Sequence, residues 1–167
     1  MGQGFSIKCK KCGFTFDANF GVGFMFPVVY EEMIEKGRSG ELGEEVKSFL
    51  EDNKYGTLDV ENIVLRCTEC GNLETGYDLS MYVPYNDEYV PDSEKKVRWS
   101  VAFPAEGMKY VSPVDLKEHY KKVIDYPHKC SNCSGKMMLI KKEDFDKIPC
   151  PECDGIMNQT DECFFWD

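Results

Sequence analysis

The sequence contains only two histidines and no apolar run long enough to cross a membrane as a helix. A membrane-spanning helix needs about 20 consecutive apolar residues, so no membrane association is expected. The first residues also lack the apolar stretch that marks a secretory signal. No nucleophile elbow, metalloprotease histidine pair or nucleotide-binding loop is present. We therefore assign no catalytic residue and lean against an enzyme.

Basic residues are also scarce, with 20 lysines and arginines against 30 acidic residues and a formal net charge of −10. This charge repels phosphate backbones over about 8 Å at physiological salt. Non-specific binding of nucleic acid by the whole surface is therefore disfavoured. Hydrophobic residues make up 42% of the 167 residues and aromatic residues 13%. This is enough for the core of one compact domain or two small ones.

Cysteine, by contrast, is plentiful, and eight of the nine cysteines form four identical Cys-x-x-Cys pairs. The four pairs, here called knuckles, are knuckle 1 (Cys9, Cys12), knuckle 2 (Cys67, Cys70), knuckle 3 (Cys130, Cys133) and knuckle 4 (Cys150, Cys153). This spacing suits a metal or redox turn better than a disulfide framework. We therefore expect a reducing, cytoplasmic location. A thioredoxin-like role is not indicated, because no helix-forming sequence follows these pairs.

Knuckles 3 and 4 face each other across the sixteen residues 134–149, a spacing typical of a four-thiolate zinc site. Gly135 and Gly155 follow them closely, and we expect these glycines to adopt the positive φ that turns backbone amides toward the sulfurs. Four cysteine ligands leave no coordination position open for water. The sequence thus predicts two structural zinc ions per chain.

Four knuckles can form two four-cysteine sites in three ways. We predict that neighbouring knuckles pair, which gives the sets Cys9, Cys12, Cys67, Cys70 and Cys130, Cys133, Cys150, Cys153. An interleaved arrangement is the alternative considered. It requires the 54 residues between Cys12 and Cys67 to lie within one composite unit.

Three further residues have chemistry that suits a metal or reactive site. His119 is expected at a helix surface or core edge, and His128 in a strand beside knuckle 3. Neither is needed as a ligand. Cys163 is expected to be a buried thiol within the apolar tail, and a reactive thiol or replacement ligand is the alternative.

Apolar patterns and caps predict the regular elements. Phe5 and Ile7 indicate a strand before knuckle 1, and Ile63 and Leu65 a strand before knuckle 2. Two helices are predicted, from Pro27 to about Ser39 and over about 42–52. Strands are predicted over 79–83 and 97–103, followed by a break at Gly107. A third helix is predicted to be capped by Ser112, and its apolar side contains Leu116, Tyr120, Val123 and Ile124. The apolar tail is expected to dock on a ribbon.

The segment from Cys130 to Cys153 resembles the zinc-ribbon superfamily, and Cys150-Pro151-Glu152-Cys153 is similar to a rubredoxin knuckle. Residues 9–14 look like the other rubredoxin knuckle. The resemblance covers about forty C-terminal residues and two short turns near the N-terminus. It implies metal binding and short β-hairpins. Zinc-ribbon families bind nucleic acid, polymerases or other proteins, so the resemblance alone does not identify a partner.

We therefore expect an α+β fold of two zinc-ribbon, rubredoxin-like units. The predicted division is an N-terminal zinc ribbon over 1–78 with a helical insertion at about 24–55, a strand-helix connecting segment over 79–126, and a C-terminal zinc ribbon with the apolar tail over 127–167.

Three functional classes fit these features. The first is a zinc protein that acts through protein contacts as an adaptor or regulator. The second is a nucleic-acid-associated protein, based on seven lysines near the knuckles: Lys8, Lys10, Lys11, Lys129, Lys136, Lys141 and Lys142. The third is a rubredoxin-like electron carrier with iron in place of zinc, because thiolate sites accept both metals.

Overall fold

The computed structural model describes residues 2–86, 89, 109–153 and 155–166, and these residues adopt a mixed α+β fold, as expected. The strands are β1 (Gly2–Cys9), β2 (Thr15–Phe20), β3 (Thr57–Leu58), β4 (Asn62–Cys67), β5 (Leu73–Tyr77), β6 (Met81–Pro84), β7 (Tyr120–Ile124), β8 (Met137–Ile140) and β9 (Met157–Trp166). The helices are α1 (Phe26–Ser39), α2 (Glu44–Asp52), α3 (Pro113–His119) and a 3₁₀ helix (Lys142–Lys147). The predicted strand over 97–103 and the break at Gly107 lie outside the described residues.

The chain divides into two compact units, each built from separate segments. Unit 1 contains residues 1–24, 61–77 and 127–167, and unit 2 contains residues 25–60 and 78–126. The sequence division also placed boundaries at residues 78 and 126, but these units group the segments differently, because both predicted ribbons belong to unit 1 and the helical insertion belongs to unit 2 with the connecting segment. The reason is long-range strand pairing: β1 pairs with β9, and β4 pairs with β8.

Unit 1 contains two antiparallel three-stranded sheets with the same construction. Their strand orders are β2-β1-β9 and β5-β4-β8. In each sheet the central strand, β1 or β4, ends at the first cysteine of a knuckle. One of the two outer strands, β9 or β8, begins four residues after the second cysteine of another knuckle. The registers agree as well, because Cys9 lies opposite Met157 and Cys67 lies opposite Met137. The strands predicted before knuckles 1 and 2 are therefore confirmed as β1 and β4.

The core of unit 1 is aromatic and aliphatic. Phe5, Ile7, Val64, Phe145 and Met157 are almost fully buried in one cluster. The rings of Phe5 and Phe145 meet edge to face with centroids 5.2 Å apart, a favourable arrangement for aromatic pairs. The predicted docking of the tail takes the form of strand pairing, because β9 runs antiparallel along β1.

Helices α1 and α2 of unit 2 confirm the sequence prediction. Pro27 lies in the first turn of α1, where its missing N–H is harmless. The buried face of α1 includes Tyr30, Met33 and Ile34. Helix α2 buries Val46, Phe49 and Leu50, which are spaced for one side of a helix. No helix in the described ranges is both long enough and apolar enough to cross a membrane.

The third predicted helix is only partly correct. Ser112 and Asp115 form the expected capping box at the start of α3. The helix ends at His119, however, and the following residues form β7, with Tyr120 opposite Pro84 of β6. The prediction that the helix continues through Val123 and Ile124 is therefore wrong. Both residues are β-branched and favour a strand, and pairing with β6 stabilises that choice.

Candidate metal centres

The eight paired cysteines come together in two groups of four, and both groups lie in unit 1. Site 1 contains Cys9, Cys12, Cys150 and Cys153, and site 2 contains Cys67, Cys70, Cys130 and Cys133. Knuckle 1 therefore pairs with knuckle 4, and knuckle 2 with knuckle 3. The predicted pairing of neighbouring knuckles is wrong, and so is the interleaved alternative. One site is nested inside the other along the chain.

The distances between sulfur atoms fit a tetrahedral metal ion. In site 1, the Cys9 and Cys153 sulfurs are 3.6 Å apart, and so are those of Cys12 and Cys150. Three sulfur pairs across site 2 lie at 3.4, 3.5 and 3.7 Å. A zinc–sulfur bond of about 2.3 Å gives a tetrahedron with edges of about 3.8 Å. Both groups thus fit a zinc-ribbon-like site, whereas a disulfide bond would bring two sulfurs to about 2 Å.

All four knuckles share one backbone hydrogen bond. In each, the N–H of the first cysteine donates to the carbonyl five residues later: Cys9 to Phe14 at 2.8 Å, Cys67 to Asn72 at 2.9 Å, Cys130 to Gly135 at 2.9 Å and Cys150 to Gly155 at 2.7 Å. This bond closes the turn so that both sulfurs of a knuckle point to the same side. The common backbone explains why four different sequences present their thiols in the same way.

The glycines of knuckles 1 and 2 follow the second cysteine directly and have a conformational role. Gly13 has a φ of 83° and Gly71 a φ of 76°, values in the left-handed region that other residues adopt at a cost. In knuckle 3 the same position is occupied by Ser134, with a φ of 60°. The positive φ predicted at Gly135 is therefore found at Ser134 instead.

Gly135 and Gly155 are one residue further on, and there glycine provides space. A Cβ atom on Gly155 would lie 2.7 Å from the Cys9 sulfur and 3.3 Å from the Cys153 sulfur. A Cβ atom on Gly135 would lie 3.2 Å from the sulfurs of both Cys67 and Cys133. Each glycine thus lies against sulfurs from both knuckles of its site, where a side chain would press on the ligands.

Backbone amides and crowded thiols act in opposite directions on the cysteines of site 1. The N–H groups of Cys12 and Lys11 donate to the Cys9 sulfur and lower its pKa to about 6. For Cys12, the N–H of Phe14 lowers the pKa, but burial and the facing thiols of knuckle 4 outweigh it and raise the value to about 12. Some thiols therefore ionise readily while their neighbours resist a second negative charge. A divalent cation compensates this repulsion and lowers the pKa of the thiols that bind it.

Site 2 has the same electrostatic character. The N–H of Asn72, followed by contacts with neighbouring side chains, lowers the pKa of Cys70 to about 6. The N–H of Gly135 lowers the pKa of Cys133, but the Cys67 and Cys70 thiols outweigh it and raise the value to about 12. Four thiols gathered in this way are suited to a cation that accepts soft sulfur ligands.

A hydrogen-bonded shell surrounds site 2. The Glu74 carboxylate accepts hydrogen bonds from the Ser131 N–H at 3.0 Å and the Ser131 hydroxyl at 2.9 Å. The Asn72 amide donates to the Glu74 carboxylate at 2.9 Å and lies 3.8 Å from the Cys130 sulfur. The Asn132 amide lies 3.7 Å from the Cys70 sulfur. Such contacts orient metal ligands and disperse thiolate charge, and they connect β5 to knuckle 3.

The remaining candidate residues lie outside both cysteine groups. His119 ends α3 and stacks on the ring of Tyr89 with centroids 4.0 Å apart. The backbone carbonyl of His128 accepts the N–H of Met137 at 3.1 Å. Cys163 lies in β9 opposite Phe5 and is exposed. The prediction that Cys163 is buried is therefore wrong: the residue lies on an outer strand of the sheet, beyond the register shift between the pairings of Phe5 and Ile7.

Unit 2 contains a feature that the sequence did not reveal, a cavity of about 430 Å³. Its lining includes five tyrosines and three basic residues: Tyr30, Tyr55, Tyr89, Tyr110, Tyr120, Arg38, Lys54 and Lys109. The volume lies within the range of small-molecule sites. Its residues come from α1, the turn before β3, and the segments around α3, so no local sequence motif could have indicated it.

No protein-family model matches the chain, and comparisons with curated proteins and with solved structures find no match. The likeness to zinc ribbons therefore rests on the two cysteine sites themselves, namely their four-sulfur geometry and the hairpins that carry them.

Proposed function

We propose that the chain is a zinc protein with two structural sites and that it acts through protein contacts as an adaptor or regulator in the cytoplasm. The observation that supports this most is the closed tetrahedral arrangement of the cysteines in each site. Four protein ligands leave no position for a substrate or a reactive water. Each site instead joins strands that are distant in the chain, as expected of a metal that stabilises a fold.

Metal analysis of protein purified without added metal tests the structural part of the proposal. We expect about two zinc ions per chain, and one or none would refute the two-site proposal. Colour distinguishes the iron alternative, because a ferric tetrathiolate is red whereas zinc protein is colourless. Thiolate tetrahedra accept both metals, so this measurement also decides between a structural and an electron-transfer protein.

The charge distribution supports nucleic-acid binding as a second candidate. Unit 1 has 12 acidic and 9 basic residues, and unit 2 has 18 acidic and 11 basic residues. Most of the negative charge therefore belongs to unit 2, while the seven lysines near the knuckles are exposed and belong to unit 1. A gel shift with single- and double-stranded DNA and RNA tests this candidate. Salt-sensitive binding at micromolar protein would place it ahead of the adaptor proposal.

A further inference from the structure

The two matching sheets of unit 1 allow residues at equivalent positions to be compared within one molecule. Strand β9 follows knuckle 4 as β8 follows knuckle 3, and both are outer strands among the described residues. Met157 and Met137 occupy the same register opposite a ligand cysteine. Each also donates its backbone N–H to the residue two before its knuckle, at 2.8 Å to Ile148 and at 3.1 Å to His128. Differences between the two strands are therefore not imposed by the shared fold.

The first difference is exposed apolar surface on β8. Met138 and Leu139 follow the equivalent methionine in β8, and they are 56% and 50% exposed. The equivalent residues in β9 are Asn158 and Gln159. A strand in this position can thus be polar, as in the other sheet. Exposed apolar side chains on an outer strand favour pairing with another chain, and proteins usually avoid them there.

The second difference is uncompensated positive charge at the start of β8. Lys129 and Lys136 lie directly opposite each other in an antiparallel bridge, and both are exposed. Like charges placed opposite each other are destabilising, yet neither lysine contacts a carboxylate in the part of the chain that the structure describes. The equivalent bridge beside knuckle 4 is formed by Pro149 and Ile156, so the fold does not require lysine at these positions.

The backbone of β8 is also available for pairing. The Lys136 carbonyl accepts the Thr68 N–H at 2.9 Å. The backbone N–H and C=O groups of Lys136, Met138 and Ile140 therefore point toward β4. Because an antiparallel ladder alternates, the N–H and C=O of Leu139 point away from β4. Lys141, which follows the strand, is exposed as well. Side chains alternate along a strand, so Lys136 shares a face with Met138, and Leu139 shares the other face with Lys141.

From these observations we propose that the outer edge of β8 is a docking site for an extended, acidic segment of a partner protein, which adds as a strand beside Leu139. The segment carries apolar side chains that cover Met138 and Leu139, with a carboxylate near each end. These carboxylates pair with Lys136 and Lys129 at one end and with Lys141 at the other. The inference rests on the proposed function and specifies the surface through which the adaptor acts. An acidic peptide is favoured over nucleic acid because the exposed apolar side chains of Met138 and Leu139 match a peptide.

The test uses full-length zinc-loaded protein and a pool of six-residue peptides with an aspartate at each end and β-branched residues between, because residues 136–141 span six positions and their terminal lysines lie on opposite faces. Binding is followed by amide chemical shifts and by fluorescence anisotropy of the labelled pool. We expect the largest shifts at residues 137–141, with affinity that falls as salt is raised. A pool with lysine at each end and a short DNA duplex are measured in parallel. Absence of binding by the aspartate pool, or a preference for the DNA, overturns the proposal.

Three variants locate the binding. The double variant Met138→Asn, Leu139→Gln copies the equivalent residues of β9, and Leu139→Pro removes an N–H that the sheet does not use. We expect each to weaken peptide binding at least tenfold. The matched control Val114→Asn changes an apolar residue of unit 2 that is 63% exposed, and it should bind as the unaltered protein does. Equal binding by all variants overturns the proposal.

Zinc content is measured on every sample, so that failure of the docking site can be distinguished from failure of the structural zinc sites. Protein with two zinc ions that binds no peptide refutes the docking site alone. Protein without zinc refutes the proposed structural sites.

Discussion

Replacing Gly155 with alanine is expected to weaken metal binding at site 1 specifically. The new Cβ atom would lie 2.7 Å from the Cys9 sulfur, 3.1 Å from the Lys11 Cβ atom and 3.3 Å from the Cys153 sulfur. Carbon atoms do not approach other heavy atoms within 3.0 Å without a shift. The Cys9 and Cys153 sulfurs are 3.6 Å apart, so the added methyl group presses on both ends of one edge of the tetrahedron.

The size of the effect follows from the cost of overpacking. Inserting a methyl group into a filled site costs about 1–3 kcal/mol, and about 1.4 kcal/mol corresponds to a factor of ten in affinity. We therefore expect zinc affinity at site 1 to fall about 10- to 100-fold. Site 2 should be unaffected, because all four of its cysteines lie elsewhere in the chain. Titration with a chromophoric zinc chelator, which reads out two separate affinities, measures this.

Two other glycines provide controls for the Gly155 variant. Gly76→Ala should leave both affinities unchanged, because the nearest atom to its Cβ position is 3.8 Å away. Gly13→Ala meets nothing within 4 Å but must adopt a φ of 83°. It should reduce the free energy of unfolding by about 1–2 kcal/mol without pressing on a sulfur. Wild-type zinc affinity at both sites in Gly155→Ala would refute the steric argument.

Three further results are expected. Cys150→Ser should leave about one zinc ion per chain and disrupt the sheet of β1, β2 and β9. The control Cys163→Ser should keep two zinc ions. Two zinc ions in both variants would show that Cys150 is not a ligand. Phe145→Ala should lower the free energy of unfolding by about 3–5 kcal/mol, because the ring is 1% exposed, and a loss below 1 kcal/mol in chemical denaturation would contradict this burial. Removal of zinc by a chelator should abolish hydrogen-exchange protection in β1 and β4. It should leave most of the helical circular dichroism, because α1, α2 and α3 belong to unit 2. Loss of the helical signal together with the metal would show that unit 2 depends on the metal sites.

The sequence predicted the parts of the molecule that depend on local chemistry. A Cys-x-x-Cys turn needs only a few adjacent residues, so all eight candidate ligands were visible. Helices α1 and α2 were visible for the same reason, since Pro27 and the spacing of buried residues are local signals. Residues 120–124 were misjudged because their apolar spacing fits a helix, and only pairing with β6 makes them a strand.

The pairing of the knuckles was missed because it depends on contacts between β1 and β9 and between β4 and β8, which lie far apart in sequence. A local signal was nevertheless available in the position of glycine. Knuckles 1 and 2 have glycine directly after the second cysteine, at Gly13 and Gly71, and knuckles 3 and 4 have it one residue later, at Gly135 and Gly155. In the structure the earlier glycine permits a positive φ, and the later one makes room for sulfurs of the facing knuckle.

Each site therefore combines one knuckle of each kind, and the reason is steric. Gly135 and Gly155 each lie against a sulfur of the facing knuckle, Cys67 and Cys9 respectively, so the later glycine marks the knuckle that approaches its partner most closely. Pairing knuckles 3 and 4 with each other would join two turns of that kind, and pairing knuckles 1 and 2 would join two turns that lack this space. The position of glycine thus favours the pairing of unlike knuckles. The choice between the two arrangements that pair unlike knuckles is made by the outer strands, because β9 extends along nearly the whole of β1, whereas the four residues of β8 pair with β4.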